Sequence, residues 1–352
     1  KCPPTPGQSE KQPFLIPVRM GLIDSHGQPV PLRLCEEDQG TSAPLERVLV
    51  VTETEQTFTF SQVESKPVPS LLRQFSAPVW LAVNEDDEAE LLHLLAHDAD
   101  PFNCWEAAQK LMMHQALRAL EQDELPVSIL PILSALRGVL SNPDLDPAFK
   151  TLMLSLPDED EVAEALKSDV DPQRIKQLQE AMHQQMAHAL RGEWEQAWST
   201  HKSTGAYRPD PQSAGKRALA NLALNKLCRV ARDTGDTVWP GKAYQRTKDA
   251  SNMTDRIGAV QALLDGQSPL ATQALQRFHS QFREEPLVVD KWFSLQARRN
   301  DVHGEVLDNV KQLMRHPDFV LTNPNRVRNL LSAFCHRNPG AFHRKDAAGY
   351  VF

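Results

Sequence analysis

The sequence predicts a mainly α protein: a small antiparallel β-sandwich followed by an α-helical solenoid-like array. Three observations predict it. Up to about residue 84 the apolar residues fall in short runs broken by dense turn signals. Beyond that point they recur at i, i+3 and i+4, the spacing of one helix face. Six Asp-, Ser- or Asn-Pro pairs with the form of a helix start then punctuate the second stretch. The chain therefore reads as two domains, a β-sandwich over 1–84 and a helical domain over 85–352.

In the first domain, 14–23 (FLIPVRMGLI) reads as a strand and Asp24-Ser-His-Gly-Gln as a turn, with Gly27 free to take a positive φ. Pro29 to Leu34 reads as the returning strand. Arg47-Val-Leu-Val-Val-Thr is a third, rich in β-branched residues. Thr57-Phe-Thr-Phe alternates with period two, and Pro78-Val-Trp-Leu-Ala-Val reads as a last strand. About five strands is few for a sandwich, so a further edge strand is expected before residue 1.

The acidic run Glu85-Asp-Asp-Glu88 opens the helical regime. Asp100-Pro101, Asp146-Pro147, Asp171-Pro172, Asp210-Pro211, Ser268-Pro269 and Asn323-Pro324 share one logic. The first side chain accepts orphan backbone N–H bonds, and Pro at the first helical position loses nothing by lacking its own N–H. His316-Pro317 and Asn338-Pro339 read as stops, because Pro disfavours helix at the residue before it. The stretch 100–111 (DPFNCWEAAQKL) has the aromatic and Ala-Ala spacing of HEAT-like helices, although no strict repeat length recurs. Trp105, Trp194, Trp198 and Trp292 sit on helical periods and read as core anchors.

Composition bounds the function. The chain has 352 residues and a net charge of −8, so it lacks the basic surplus of a nucleic-acid or anionic-membrane binder. Residues 1–89 hold seven Lys/Arg against thirteen Asp/Glu, while the remainder is near neutral and locally basic at Arg326, Arg328, Arg337, Arg344 and Lys345. Five cysteines without a CxxC or regular spacing predict no disulfide framework and a reducing, cytoplasmic setting. No apolar run approaches the roughly 18–20 residues of a membrane span.

Few residues point to chemistry. His93-Leu-Leu-Ala-His97 places two imidazoles at i and i+4, the ligand spacing of a zincin helix. That helix also needs a Glu directly after the first His as general base, and Leu94 stands there, so the pair reads as two histidines on one helix face. His183 and His188 are five apart and point to different sides of a helix. There is no G-x-G-x-x-G, no phosphate-loop motif and no G-x-S-x-G. The most suggestive segment is 321–331 (LTNPNRVRNLL). Arg326 and Arg328 lie two apart in it and so point about 200° from one another. One can face solvent, offering a guanidinium fork to a carboxylate, while the other faces inward.

Eight segments together resemble one family: Glu10-Lys-Gln-Pro-Phe-Leu-Ile-Pro, Glu53-Thr-Glu-Gln-Thr-Phe, Pro69-Ser-Leu-Leu-Arg-Gln-Phe-Ser-Ala-Pro-Val, Phe102-Asn-Cys-Trp-Glu-Ala-Ala-Gln, Ser251-Asn-Met-Thr-Asp, Val289-Asp-Lys-Trp-Phe, Asn323-Pro-Asn-Arg-Val-Arg, and Phe342-His-Arg-Lys-Asp with Gly349-Tyr350. Their order resembles the C-terminal half of a bacterial-type aminopeptidase N, in the M1 zinc metallopeptidase family. The resemblance implies a four-domain parent: an N-terminal β-domain, a thermolysin-like catalytic domain, a small β-sandwich and a C-terminal helical domain. This chain is similar to the last two, with further helices of the family expected beyond residue 352.

The family's HExxH helix and GxMEN motif do not occur here. The resemblance thus implies a parent that releases N-terminal amino acids from peptides, with zinc in its catalytic domain and none in this chain. This portion is implied to be a non-catalytic scaffold and cavity lid, partnered by the catalytic and N-terminal domains. By the matched motif Arg328 is the expected substrate-side residue and Arg326 the second, with no catalytic and no metal residue in this chain. Asn252, Met253 and Asp290 read as structural. The alternative reading is an independent helical-repeat interaction module; a third makes His93 and His97 a metalloenzyme site.

Overall fold

The short apolar runs and the turn residues between them build two small sheets at the start of the chain. The computed structural model describes residues 2–38, 42–82, 87–122, 128–166 and 169–352. Strand β1 (Ile16–Ile23) is the organising element. It pairs antiparallel with β2 (Pro29–Val30), β4 (Arg47–Val51) and β6 (Val68–Leu71), while β3 (Arg33–Leu34) pairs with β5 (Phe60–Ser61) in a second sheet. Ile16 lies opposite Val51 and Met20 opposite Arg47, so β4 runs along the first half of β1. β4 shows the period-two logic of a half-buried strand: Leu49 is buried and its neighbours Val48 and Val50 are exposed. Met20, Leu22, Leu32 and Leu49 form the centre of this core. Gly27 takes φ +79°, and its N–H donates to the Asp24 carbonyl at 3.0 Å, closing the expected turn.

Two strand expectations are corrected, and one strand is additional. Residues 29–34 form two pieces in different sheets rather than one returning strand. Pro78 to Ala82 forms no strand: Trp80 is 97% exposed, and the Val79 N–H donates locally, to the Ala77 carbonyl at 2.9 Å, rather than across to a strand. Val83 and Glu85-Asp86 lie outside the described residues. β6 was not expected, because Pro69 interrupts its apolar pattern. After β6 comes a tight 3₁₀ turn, Arg73–Phe75, whose buried guanidinium reaches Ser70 at 2.7 Å, Glu46 at 2.8 Å and Asp98 at 2.7 Å.

The helices follow: α1 (Glu88–His97), α2 (Pro101–Glu121), α3 (Leu130–Ser141), α4 (Pro147–Met153), α5 (Glu159–Ala165), α6 (Pro172–Ala189), α7 (Arg191–His201), α8 (Pro211–Thr234), α9 (Val238–Asp249) and α10 (Met253–Asp265). They continue as α11 (Leu270–Phe282), α12 (Pro286–Ala297), α13 (Val306–Leu313), α14 (Pro324–Val327), α15 (Ala333–Arg337), α16 (Pro339–Phe342) and α17 (Ala348–Val351). The chain divides into two compact units, 1–111 and 112–352.

The capping logic sets several of the helix starts. The Asp100, Asp146, Asp171, Asp210 and Asn323 carboxylates or amide oxygens each accept backbone N–H bonds from the first turn. Ser268 does so for Leu270, one residue later than the Pro pattern implies. Asn338-Pro339 ends α15 and at once begins α16, so it is a start as well as a stop. In the second unit, Trp194 and Trp292 are buried and spend their indole N–H on the Met186 and Leu275 carbonyls. Trp198 is buried too, whereas Trp105 of the first unit is only half-buried and is not a core anchor. No helix among the described residues is long and apolar enough to cross a membrane.

Candidate functional site

The Asn323 side chain accepts from the Asn325 and Arg326 N–H groups at 3.0 and 3.4 Å, which fixes the start of α14. From Arg328 to Ser332 the helix then takes a wider π-helical turn before resuming as α15. Such insertions recur at functional sites, because they re-aim the side chains that follow them. Arg326 and Arg328 fall on opposite sides of this helix.

Arg326 points inward and is 6% exposed. Its Nη1 lies 3.1 Å from Asp290 Oδ1 on α12, and its guanidinium carbon sits 5.2 Å from the Phe293 ring centre. The contact is an ion pair without aligned hydrogen bonds: Nε and Nη1 of Arg326 and Oδ1 of Asp290 are buried without a hydrogen-bond partner. Asp290 is itself 4% exposed, so two charges are held out of water facing one another.

Arg328 points outward into a groove of about 380 Å³, together with Ser294, Asn329, Ser332, His336 and Arg337. A larger concavity of about 570 Å³ shares His336 and Arg337 with it and adds Glu180, Arg229, Asp265 and Arg298. Among the described residues the side chains of Arg298, Arg328 and Arg337 have no ion-pair partner. Loss of hydration and then the Arg337 charge hold Arg298 below its ordinary value, against the pull of Asp265. By contrast Arg344 is tied to Asp346 at 2.7 Å and Lys345 to Asp171 at 3.1 Å. The cations of this region thus separate into paired ones and, among the described residues, a free set lining two concavities that share His336 and Arg337.

The groove rests on satisfied elements. Asn338 Nδ2 donates to the Ala297 and Arg299 carbonyls at 2.9 and 3.0 Å, tying the end of α15 to the end of α12. Below the larger concavity Arg229 reaches Glu180 at 2.6 Å and Asp265 at 3.9 Å. Burial raises the Glu180 carboxyl, but the charge and hydrogen bond of Arg229 outweigh it and leave it below its usual range. Sequence reasoning missed Arg298 and His336, which no local motif connects to Arg328.

The His93–His97 pair does not fit a hydrolytic zinc centre. His93 Nε2 lies 2.7 Å from the Asp24 carbonyl oxygen, and Leu94 occupies the general-base position. His183 meets Lys226 at 2.7 Å, while His188 meets Asp233 at 2.9 Å. The cysteines are free thiols, and burial pushes Cys104 and Cys228 up to about 12, far from a thiolate nucleophile.

Fold and groove together define a class: an immunoglobulin-like sheet domain followed by a helical-repeat domain. The comparisons make it specific. Residues 1–84 match the family described as a domain of unknown function (DUF3458) with an Ig-like fold, and residues 88–352 match its companion (DUF3458_C), described as ARM repeats. The chain belongs to this family. It is 35% identical over its whole length to aminopeptidase N of Escherichia coli (strain K12) and 34% identical over 99% of its length to aminopeptidase N of Haemophilus influenzae. It spans 39% of the length of each of these relatives and is homologous to their C-terminal part. The crystal structure of Legionella pneumophila aminopeptidase A in complex with aspartic acid superposes with a TM-score of 0.76 at 28% identity, over 96% of this chain and 38% of that one.

Proposed function

We propose that this chain is the non-catalytic C-terminal portion of a broad-specificity cytoplasmic M1 aminopeptidase. In this reading the parent enzyme releases N-terminal amino acids from peptides. Zinc and the hydrolytic residues belong to a catalytic domain outside this chain, and that domain and the N-terminal domain are its partners. The division of labour follows residues 1–84 and 85–352: the sheet domain is a scaffold and the helical domain bounds the cavity. Homology to the C-terminal part of aminopeptidase N supports it, as does the absence of an HExxH sequence here.

The single observation that carries a substrate-side role is the unpaired Arg328 in its groove, with Arg298 and Arg337 beside it. Cations confined in a cleft raise the local concentration of anionic ligands, and a guanidinium fork matches a carboxylate. Arg328 is the residue that meets the carboxylate end of a peptide. Arg326 is second and acts as a positioning residue: its pair with Asp290 anchors the helix that carries Arg328. In the parent enzyme Arg328→Gln raises KM for peptides with a free terminal carboxylate and leaves an uncharged amide reporter unaffected. Equal effects on the two substrates would remove the carboxylate role.

A further inference from the structure

Away from the arginine groove, three ligand-type side chains converge, two of them near neighbours in sequence and the third 39 residues from Asp318. His279 projects from α11, and His316 and Asp318 come from the turn after α13. His279 Nε2 lies 2.5 Å from Asp318 Oδ2, and His316 Nδ1 lies 3.7 Å from the same oxygen. One ligand atom from each residue falls within 4.8 Å of both others, the sole such grouping of His, Cys, Asp or Glu among the described residues. We propose that His279, His316 and Asp318 form a binding site for a borderline first-row divalent cation of the Zn2+ type.

Donor chemistry selects the ion. Two imidazoles and one carboxylate suit zinc and its neighbours, whereas magnesium and calcium prefer oxygen alone. Bonds of about 2.0–2.2 Å at tetrahedral angles place ligand atoms about 3.3 Å apart. The present separations, 2.5 Å to within 4.8 Å, bracket that value, so small side-chain rotations close the site.

The imidazoles are also held in place before any ion arrives. The Trp292 ring centre lies 4.6 Å from that of His279 and 5.2 Å from that of His316, and the two imidazoles meet edge-on at 5.0 Å. Trp292 is fixed in turn by its bond to the Leu275 carbonyl. The Asp318 N–H donates to His316 Nδ1 at 3.2 Å, which sets the ring, and an ion takes up that lone pair in place of this bond. All three side chains are half-buried, which leaves water access to complete the coordination sphere.

The test is calorimetric titration of the 352-residue chain with Zn2+. This chain holds no HExxH, so the outcome is independent of the aminopeptidase reading. One equivalent binds saturably, His316→Ala and Asp318→Asn each weaken it at least tenfold, and His93→Ala leaves it unchanged. Histidine-resolved NMR with Co2+ needs no variant: the His279 and His316 imidazole signals shift and those of His93 and His97 do not. Absence of saturable binding, retention of affinity in both variants, or shifts confined to other histidines would each overturn the proposal.

Discussion

Lys226 shows what the interior of the helical unit tolerates. It is 1% exposed, and its Nζ meets His183 Nδ1 at 2.7 Å. Burial first, and the Arg229 charge second, push its amine down to about 7, against Glu180 and Asp265. The same burial, with Lys226 beside it, drives His183 well below its ordinary value. An unfolded lysine keeps its proton to about 10.4, so between these values the unfolded chain binds more protons. The penalty is therefore full below about pH 7 and relieved as pH rises toward 10.5. Lys226→Met should stabilise the protein by about 1–3 kcal/mol at pH 7 and by clearly less at pH 10, read from urea melts at the two values. An equal gain at both would show that the amine is charged throughout. The two motif arginines differ in a second way. Asp290→Ala strands the buried Arg326 and should cost about 3–5 kcal/mol, whereas Arg328→Ala should stay within about 0.5 kcal/mol. The opposed directions of Arg326 and Arg328 are legible because helical geometry alone fixes them. Asp290 as the partner is not legible, since its position depends on how α12 packs. His279 fails to read for the same reason: nothing local links it to His316 and Asp318.

Helix starts are the most legible elements, because a cap is a contact between neighbours in sequence. Asp146-Pro147, Asp171-Pro172, Asp210-Pro211 and Asn323-Pro324 each open a helix at the proline. Caps without a proline are harder to see. Asp158 and Glu161 form a reciprocal capping box at α5. Asn252 caps α10 by accepting the Asp255 N–H at 2.9 Å, and it donates to Asp255 Oδ2 at 2.8 Å. Asp255 is 2% exposed and pairs with Arg246 at 3.0 Å, so the cap also steadies a buried charge. Asn252→Ala should cost about 1–2 kcal/mol in denaturant melts, and a loss under about 0.3 kcal/mol would mean the cap is dispensable. Strands read less well, because a strand exists only through a partner elsewhere in the chain. Pro78 to Ala82 has strand composition and no partner, whereas Val68–Leu71 has a proline and pairs with β1.

At the scale of the molecule, an acidic chain of net charge −8 keeps a set of arginines unpaired among the described residues, lining two concavities of its helical unit that share His336 and Arg337. Ion pairs quench Arg326, Arg344 and Lys345, so the free set is a local feature rather than a reflection of composition. The chain is homologous to the C-terminal part of aminopeptidase N, and the carboxylate-binding role proposed for Arg328 rests on this free set of cations. The account turns on hydrolysis being supplied from outside these 352 residues. It is tested most directly by following the release of a chromogenic amino-acid amide by the purified chain, alone and mixed with the separately produced remainder of its parent. The account predicts no release alone and recovery on mixing; chelator-sensitive release by the chain alone would contradict it.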